Sequence, residues 1–338
     1  MHLGDIEDTG NDCFLTCPWH AFRFSLVDGE SPEDQDHGAE TFEIKVEDEW
    51  VYIQVKESIT IEKASMLQKD QQPLEEPQDL QIPNLTRLSV SERSLTDWAI
   101  LILNTSDAQE KMDLTFQVLD LWKAGSIKTI GQGVPPNQPA RPPSLNMVSP
   151  AKTSKRGGGG TVESRIAILH ALANIEQWAI DLAWDIIARF PHQPHDFYSD
   201  FVKVAGDESR HFGYLSKRLQ ELGSFYGALG VHGSLWESAR ETSEDLLSRL
   251  AIVHMVHEGR GLDVNPLTIR KFEKAGDQVS AAFLKIIHED EISHVACGQV
   301  WFSRLCEERG LDRYATFHSI VRKHYRGYVF FEKLRADS

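Results

Sequence analysis

The chain has 338 residues, 41% of them hydrophobic, with 51 acidic and 35 basic side chains and a formal net charge of −16. That length suits two domains with linkers and ample core, and the acidic balance argues against a broad nucleic-acid-binding surface. No apolar run reaches the roughly 18 residues that a membrane helix needs, no secretory signal opens the chain, and Cys13, Cys17, Cys297 and Cys306 do not suggest a disulfide framework, so a reducing cytoplasm is the expected location.

Residues 1–56 read as β structure. Phe42, Ile44 and Val46 alternate with polar residues, as do Val51, Ile53 and Val55 after the acidic turn Glu47-Asp48-Glu49, which predicts a hairpin. Upstream of it the stretch CPWHAFRFSLVDGE resembles the second cluster-binding box of Rieske [2Fe–2S] domains, where two Cys hold one iron and two His the other. By that resemblance Cys17 and His20 are one iron–sulfur ligand pair. The family's first Cys-x-His box is missing from this sequence. The expectation is therefore an incomplete Rieske-like β domain that does not hold a normal [2Fe–2S] cluster.

Residues 57–90 are polar and proline-containing, with little periodicity, and read as a linker. Over residues 91–160 two helices are expected. Leu95, Trp98, Ala99, Ile102 and Leu103 recur at helical spacing. A second set, Met112, Phe116, Leu119 and Trp122, follows a cap near Ser106-Asp107 and ends at Gly125. An arm rich in proline and then glycine follows. Its glycine run lacks a Gly-Lys-Ser/Thr ending, so it is not a phosphate loop.

Residues 161–326 read as a four-helix bundle. The first helix, about Val162 to Phe190, is apolar on most faces, so Glu176 within it is a costly charge unless paired or metal-bound. Pro191 and Pro194 mark the turn to the second helix. A third is expected from about Ser238 to Leu262, broken soon after by Pro266, with a short extra helix over 267–275. The fourth runs from about Asp277 to Arg309, and a last helix from about Asp312 to Tyr325. His170, Asp181 and Asp185 read as polar neighbours of the core, and Cys297 and Cys306 as small buried apolar residues.

One phrase occurs twice in this bundle. Asp207-Glu208-Ser209-Arg210-His211 and Asp290-Glu291-Ile292-Ser293-His294 both read D-E-x-x-H, and each has a glutamate on the preceding helix at nearly the same distance, Glu176 and Glu258. Residues three apart share a helix face, so each Glu/His pair can reach one ion. One Glu-x-x-His alone would say little at this Glu and His content. Two, with matched upstream glutamates in an apolar setting, form the ligand set of a carboxylate-bridged two-metal site. The expected ligands are Glu176, Glu208, His211, Glu258, Glu291 and His294. Imidazole and carboxylate donors suit iron, and manganese fits similar ligands. Asp207 and Asp290, four residues before each histidine, are expected to accept its second ring N–H. His254, one turn before Glu258, is expected as a further residue around the ligands.

From about Leu95 to Arg326 the chain resembles the ferritin-like family catalogued as domain of unknown function 455. The stretches RIAILHALANIEQWAIDLAWD, DESRHFGYLSKRLQELGSFYG, RLAIVHMVHEGRGLDV and DEISHVACGQVWFSRLCEERG carry the resemblance. The family is similar, more distantly, to tRNA-hydroxylating diiron proteins. The resemblance implies a ferritin-like fold and a diiron centre on the six ligands above. The expected fold class is α + β multidomain: a small N-terminal Rieske-like β domain, then an all-α ferritin-like four-helix bundle with extra helices. The expected function is an O₂-activating diiron oxidoreductase of hydroxylase or monooxygenase type, fed by an electron-donor reductase and acting on an organic substrate that the residues do not identify. Iron storage by the same ligands is the alternative.

Overall fold

The computed structural model describes residues 93–325 throughout and, N-terminal to them, five short strands. The chain divides into two compact units, Leu80–Tyr325 and Met1–Asp79 with Arg326–Ser338.

The larger unit is helical. α1 (Leu95–Asn104) starts at a capping box in which Ser94 Oγ accepts the Asp97 N–H (3.2 Å) and Asp97 accepts the Ser94 N–H (3.0 Å). α2 (Ala108–Lys123) is capped by Asp107, and Gly125 beyond it takes the positive φ (63°) that lets the chain turn away. An extended arm leads to α3 (Val162–Arg189), capped by Thr161. After Pro191 the chain turns through His192 (φ 68°) into α4 (His195–Glu221). α5 (Ser234–Glu241), α6 (Leu246–Arg249), a π-helical segment (Leu250–His257) and α7 (Glu258–Lys274) follow. α8 (Gln278–Glu308) and α9 (Arg313–His324) complete the described residues.

α3 packs along α4, and α7 and the π-helical segment pack along α8. α4 against α8 joins the pairs, while α1 covers α3 and α2 covers α4. α3 is buried almost all round because α1 and α4 pack along it, and Lys111 and Thr115 of α2 reach Asp181 and Trp184 on it. Trp98, Trp184, Phe197, Phe201, Phe272 and Phe302 are among the large side chains buried in the common core. Each contributes about 1.5–3 kcal/mol by leaving water. Asp277, the cap of α8, also pairs with Arg218 on α4 (2.9 Å) and Arg165 on α3 (3.3 Å), which ties three helices at one end.

Two helix expectations are corrected. The expected third helix begins as α5, breaks at residues 242–245 and restarts as α6 and the π-helical segment. α7 then runs through Pro266 to Lys274 without the expected break and separate short helix. Thr242 breaks it because its hydroxyl bonds back to the Ser238 carbonyl (2.9 Å) and also accepts from Arg249 (3.1 Å), while Asp245 caps a new start.

The α + β expectation is also corrected. The architecture is dominated by helix, and no Rieske β domain is seen among the described residues. The strands are β1 (Asp5–Asp8), β2 (Cys13–Thr16), β3 (Arg23–Ser25), β4 (Ile44–Glu47) and β5 (Trp50–Ile53). They make two separate antiparallel pieces, β1-β2-β3 and β4-β5. The β4–β5 pairing follows the predicted alternation, but local alternation makes only a hairpin. Strands of three or four residues in two small sheets are short of what an independent β domain needs. Cys17 and His20, the expected iron–sulfur pair, lie outside the described residues.

Candidate metal centre

Glu176 comes from the middle of α3, Glu208 and His211 from α4, Glu258 from the first turn of α7, and Glu291 and His294 from α8. The fold brings all six together. They form two quartets, Glu176, Glu208, His211, Glu291 and Glu208, Glu258, Glu291, His294, each with one donor atom per residue lying within 4.8 Å of the others. Glu208 and Glu291 belong to both. Glu208 sends Oε2 toward His211 Nδ1 (3.4 Å) and Oε1 toward His294 Nδ1 (2.9 Å). Glu291 sends Oε1 toward His211 Nδ1 (3.9 Å) and Oε2 toward His294 Nδ1 (3.3 Å). Each carboxylate straddles the two histidines. Glu176 lies on the His211 side, 3.5 Å from its Nδ1, and Glu258 belongs to the His294 quartet.

These atoms are close without being hydrogen-bonded. Both Glu208 oxygens, Glu291 Oε2 and Nδ1 of both histidines are buried and have no hydrogen-bond partner. A buried polar atom left unsatisfied costs about 1–3 kcal/mol. The donors converge on common points rather than on one another, which is the geometry that fits cations placed between them. A mixed carboxylate and imidazole set fits divalent transition metals.

The histidines are turned by aspartates from the opposite motif. His211 Nε2 lies 3.0 Å from Asp290 Oδ2, and His294 Nε2 lies 3.4 Å from Asp207 Oδ2. Asp207 and Asp290 each face a histidine, but that of the opposite motif and not the expected one four residues on, because each aspartate points across the α4–α8 contact. A ring that donates Nε2–H to an aspartate turns Nδ1 to the cluster, where its lone pair becomes free for a cation once the Nδ1 proton has left. Sequence reasoning missed Arg210, which donates to both Asp207 Oδ1 and Asp290 Oδ2 at 2.9 Å and so couples the two pairs. Lys203 adds a bond to Asp207 Oδ2 at 2.9 Å. Burial opposes charge on Asp207, yet the bonds from His294 and Lys203 bring its pKa down to about 2.

The electrostatics follow from packing like charges together. Burial, then the Glu208 charge, pushes the Glu176 carboxyl well above the usual range. Burial, then Glu291 and Glu208, does the same to Glu258. Burial opposes the charge on Glu208 too, but His294 and His211 outweigh it and hold that carboxyl well below the usual range. Glu258 is the one member that is not fully buried as a residue.

His254 is buried but lies outside both quartets, edge-on to Phe201 with ring centroids 4.8 Å apart. Burial and the Arg249 charge lower its pKa to about 3, so the ring is neutral. The π-helical segment that carries it meets α8 at Gly298, where a Cβ would stand 2.2 Å from the His254 carbonyl oxygen. Glycine there allows the close approach that sets the start of α7, and with it Glu258.

No helix among the described residues is long and apolar enough to cross a membrane. No solved structure matches the chain. An uncharacterized protein of Haemophilus influenzae is 34% identical over 248 residues, which cover 70% of this chain and 85% of that protein. The model of the family described as protein of unknown function, DUF455, matches residues 104–337, which hold all six clustered residues together with Asp207, Asp290 and Arg210, and the chain belongs to that family.

Proposed function

We propose that the helical unit is a ferritin-like bundle holding a dinuclear iron centre on Glu176, Glu208, His211, Glu258, Glu291 and His294, and that the protein is an O₂-activating oxidoreductase of hydroxylase or monooxygenase type. The observation that carries the reading is the pair of quartets sharing Glu208 and Glu291. Two carboxylates with one oxygen toward each histidine suit bridging, and one glutamate and one histidine remain for each ion. Held by these six residues, reduced iron would supply the electrons for O₂ chemistry of the hydroxylation or desaturation type.

The chain's own residues have distinct tasks in this reading. Asp290 and Asp207 hold the imidazoles in one tautomer, and Arg210 keeps both aspartates charged and in place. Glu176 from α3 and Glu258 from α7 each serve one quartet only, the first with His211 and the second with His294. The buried faces of α3 and α4 that carry Glu176, Glu208 and His211 keep water away from the cluster. An electron-donor reductase and an organic substrate are the partners this chemistry requires, and the cytoplasm is the proposed location.

Iron storage or handling by the same ligands is the alternative. Anaerobic protein loaded with ferrous iron and then given O₂ separates the two. Uptake of O₂ matched to about two irons per chain, sustained only while a reductant is supplied, supports the oxidoreductase. Continued deposition of many irons per chain without reductant supports storage and contradicts the proposal.

A further inference from the structure

A second polar site lies on the face of α3 away from the metal cluster. Ala167, His170, Ala171 and Asn174 form one stripe of α3, and Glu176 lies about 200° around the helix from Asn174. This stripe is the floor of a pocket whose walls are Thr153, Ser154 and Arg156 from the arm and Leu229 to His232 from the loop after α4.

The walls are firmly built. The arm and the loop pair at Met147 and Val231, with Val148 N–H donating to the Val231 carbonyl (2.8 Å) and Val231 N–H to the Asn146 carbonyl (3.0 Å). The His232 carbonyl accepts from Asn174 Nδ2 (3.1 Å) and Trp178 Nε1 (3.0 Å), which pins the loop to α3.

The pocket is lined by donors. His170, only 2% exposed, accepts at Nε2 from the Gly227 N–H (2.9 Å) and the Leu229 N–H (3.3 Å), so its proton sits on Nδ1. His232 accepts at Nδ1 from the Ser234 N–H (3.4 Å), so its proton sits on Nε2. Neither N–H has an acceptor among the described residues, and Arg156 has no carboxylate partner among them. Partial desolvation, then the Arg260 charge, lowers the Arg156 pKa.

Carboxylates are absent from the lining. In a chain with 51 acidic residues, residues 121–162 contain none while holding Lys123, Lys128, Arg141, Lys152, Lys155 and Arg156, and residues 222–236 contain none either. The two acid-free stretches are the two that wall this pocket. We propose that the pocket binds a phosphate-type oxyanion, either free or as the phosphate of a monoester, held by the Arg156 guanidinium, His170 Nδ1–H and His232 Nε2–H. The site is separate from the metal cluster and does not rest on the metal reading.

The test uses the full chain, with inorganic phosphate in one arm and glycerol phosphate in another, each against sodium chloride at equal ionic strength. Isothermal titration and thermal unfolding are the readouts. Saturable binding in either arm, absent with chloride, is expected, and the stronger arm tells free anion from monoester. Arg156→Ala, at a solvent-accessible position, should weaken binding roughly tenfold or more, as loss of a charge-assisted hydrogen bond does. Lys152→Ala, on the same arm but outside the lining, should leave it unchanged. Protection no greater than that of chloride in both arms, or equal binding by Arg156→Ala, overturns the proposal.

Discussion

α3 carries two kinds of buried carboxylate within three turns, and they are treated in opposite ways. Asp181 is fully buried between Lys111 of α2 and Arg141 of the arm (2.5 Å), and Asp185 is held by Arg189 (2.7 Å) and the buried Arg249. These charges are paired at once by cations of the chain. Glu176, earlier on the same helix, faces other glutamates and a histidine nitrogen that has no hydrogen-bond partner. A helix that pairs its structural charges so thoroughly is not careless with Glu176. The contrast separates carboxylates that staple the fold from carboxylates arranged for something brought in from outside.

Removing a staple should have the largest effect. Asp185→Ala leaves Arg249 buried and uncompensated, which should cost about 3–5 kcal/mol of stability, read from urea unfolding. A loss below about 1 kcal/mol would erase the distinction between the regions. The metal-free double variant Glu208→Ala, Glu291→Ala should lose little stability or even gain some, because it relieves repulsion among clustered carboxylates. If it unfolds as readily as Asp185→Ala, the glutamates are structural after all.

Smaller changes probe how the cluster is held. Asp290→Asn no longer fixes the His211 tautomer, and metal affinity should fall about 10- to 100-fold with the fold kept, as judged by competition with a chelator. Gly298→Ala drives a methyl into the His254 carbonyl, and because backbone cannot yield cheaply, about 1–3 kcal/mol should be lost. Metal bound on the Glu258 side should weaken with it, whereas full metal affinity in a destabilised variant would limit Gly298 to packing.

The smallest effect is a pH slope. Burial lowers the His170 pKa from 6.5 to about 4 in the folded chain. The unfolded chain therefore takes up that proton first as pH falls. The stability contributed by neutral His170 is present above pH 6.5 and is lost between 6.5 and 4. Thermal unfolding of His170→Gln should show a shallower decline across that window, and an identical slope would remove His170 as the cause.

Much of this contrast was legible in the sequence, and some was not. The doubled D-E-x-x-H and its upstream glutamates pointed to six residues that the fold does bring together, because i, i+3 spacing and the matched distance to each upstream glutamate can be read along the chain. The crosswise pairing of Asp207 with His294 and Asp290 with His211 was not legible, since it depends on how α4 meets α8. Lys111 was hidden too: it sits beside the apolar Met112 in an amphipathic helix, and nothing local says that Asp181 waits 70 residues later. The π-helical turn reads as ordinary helix from Leu250 to Val253. The N-terminal misreading has the same root: alternation around Ile44 and Val51 predicts a strand pair, and a strand pair is not a domain.

Metal analysis of the purified full chain, beside the Glu208→Ala, Glu291→Ala variant, tests the central claim most directly. Two ions per chain, with iron as the metal, are expected for the native sequence and none for the variant, with both folded by circular dichroism. Equal metal content in the two proteins would mean that the cluster shared by Glu208 and Glu291 is not a metal centre.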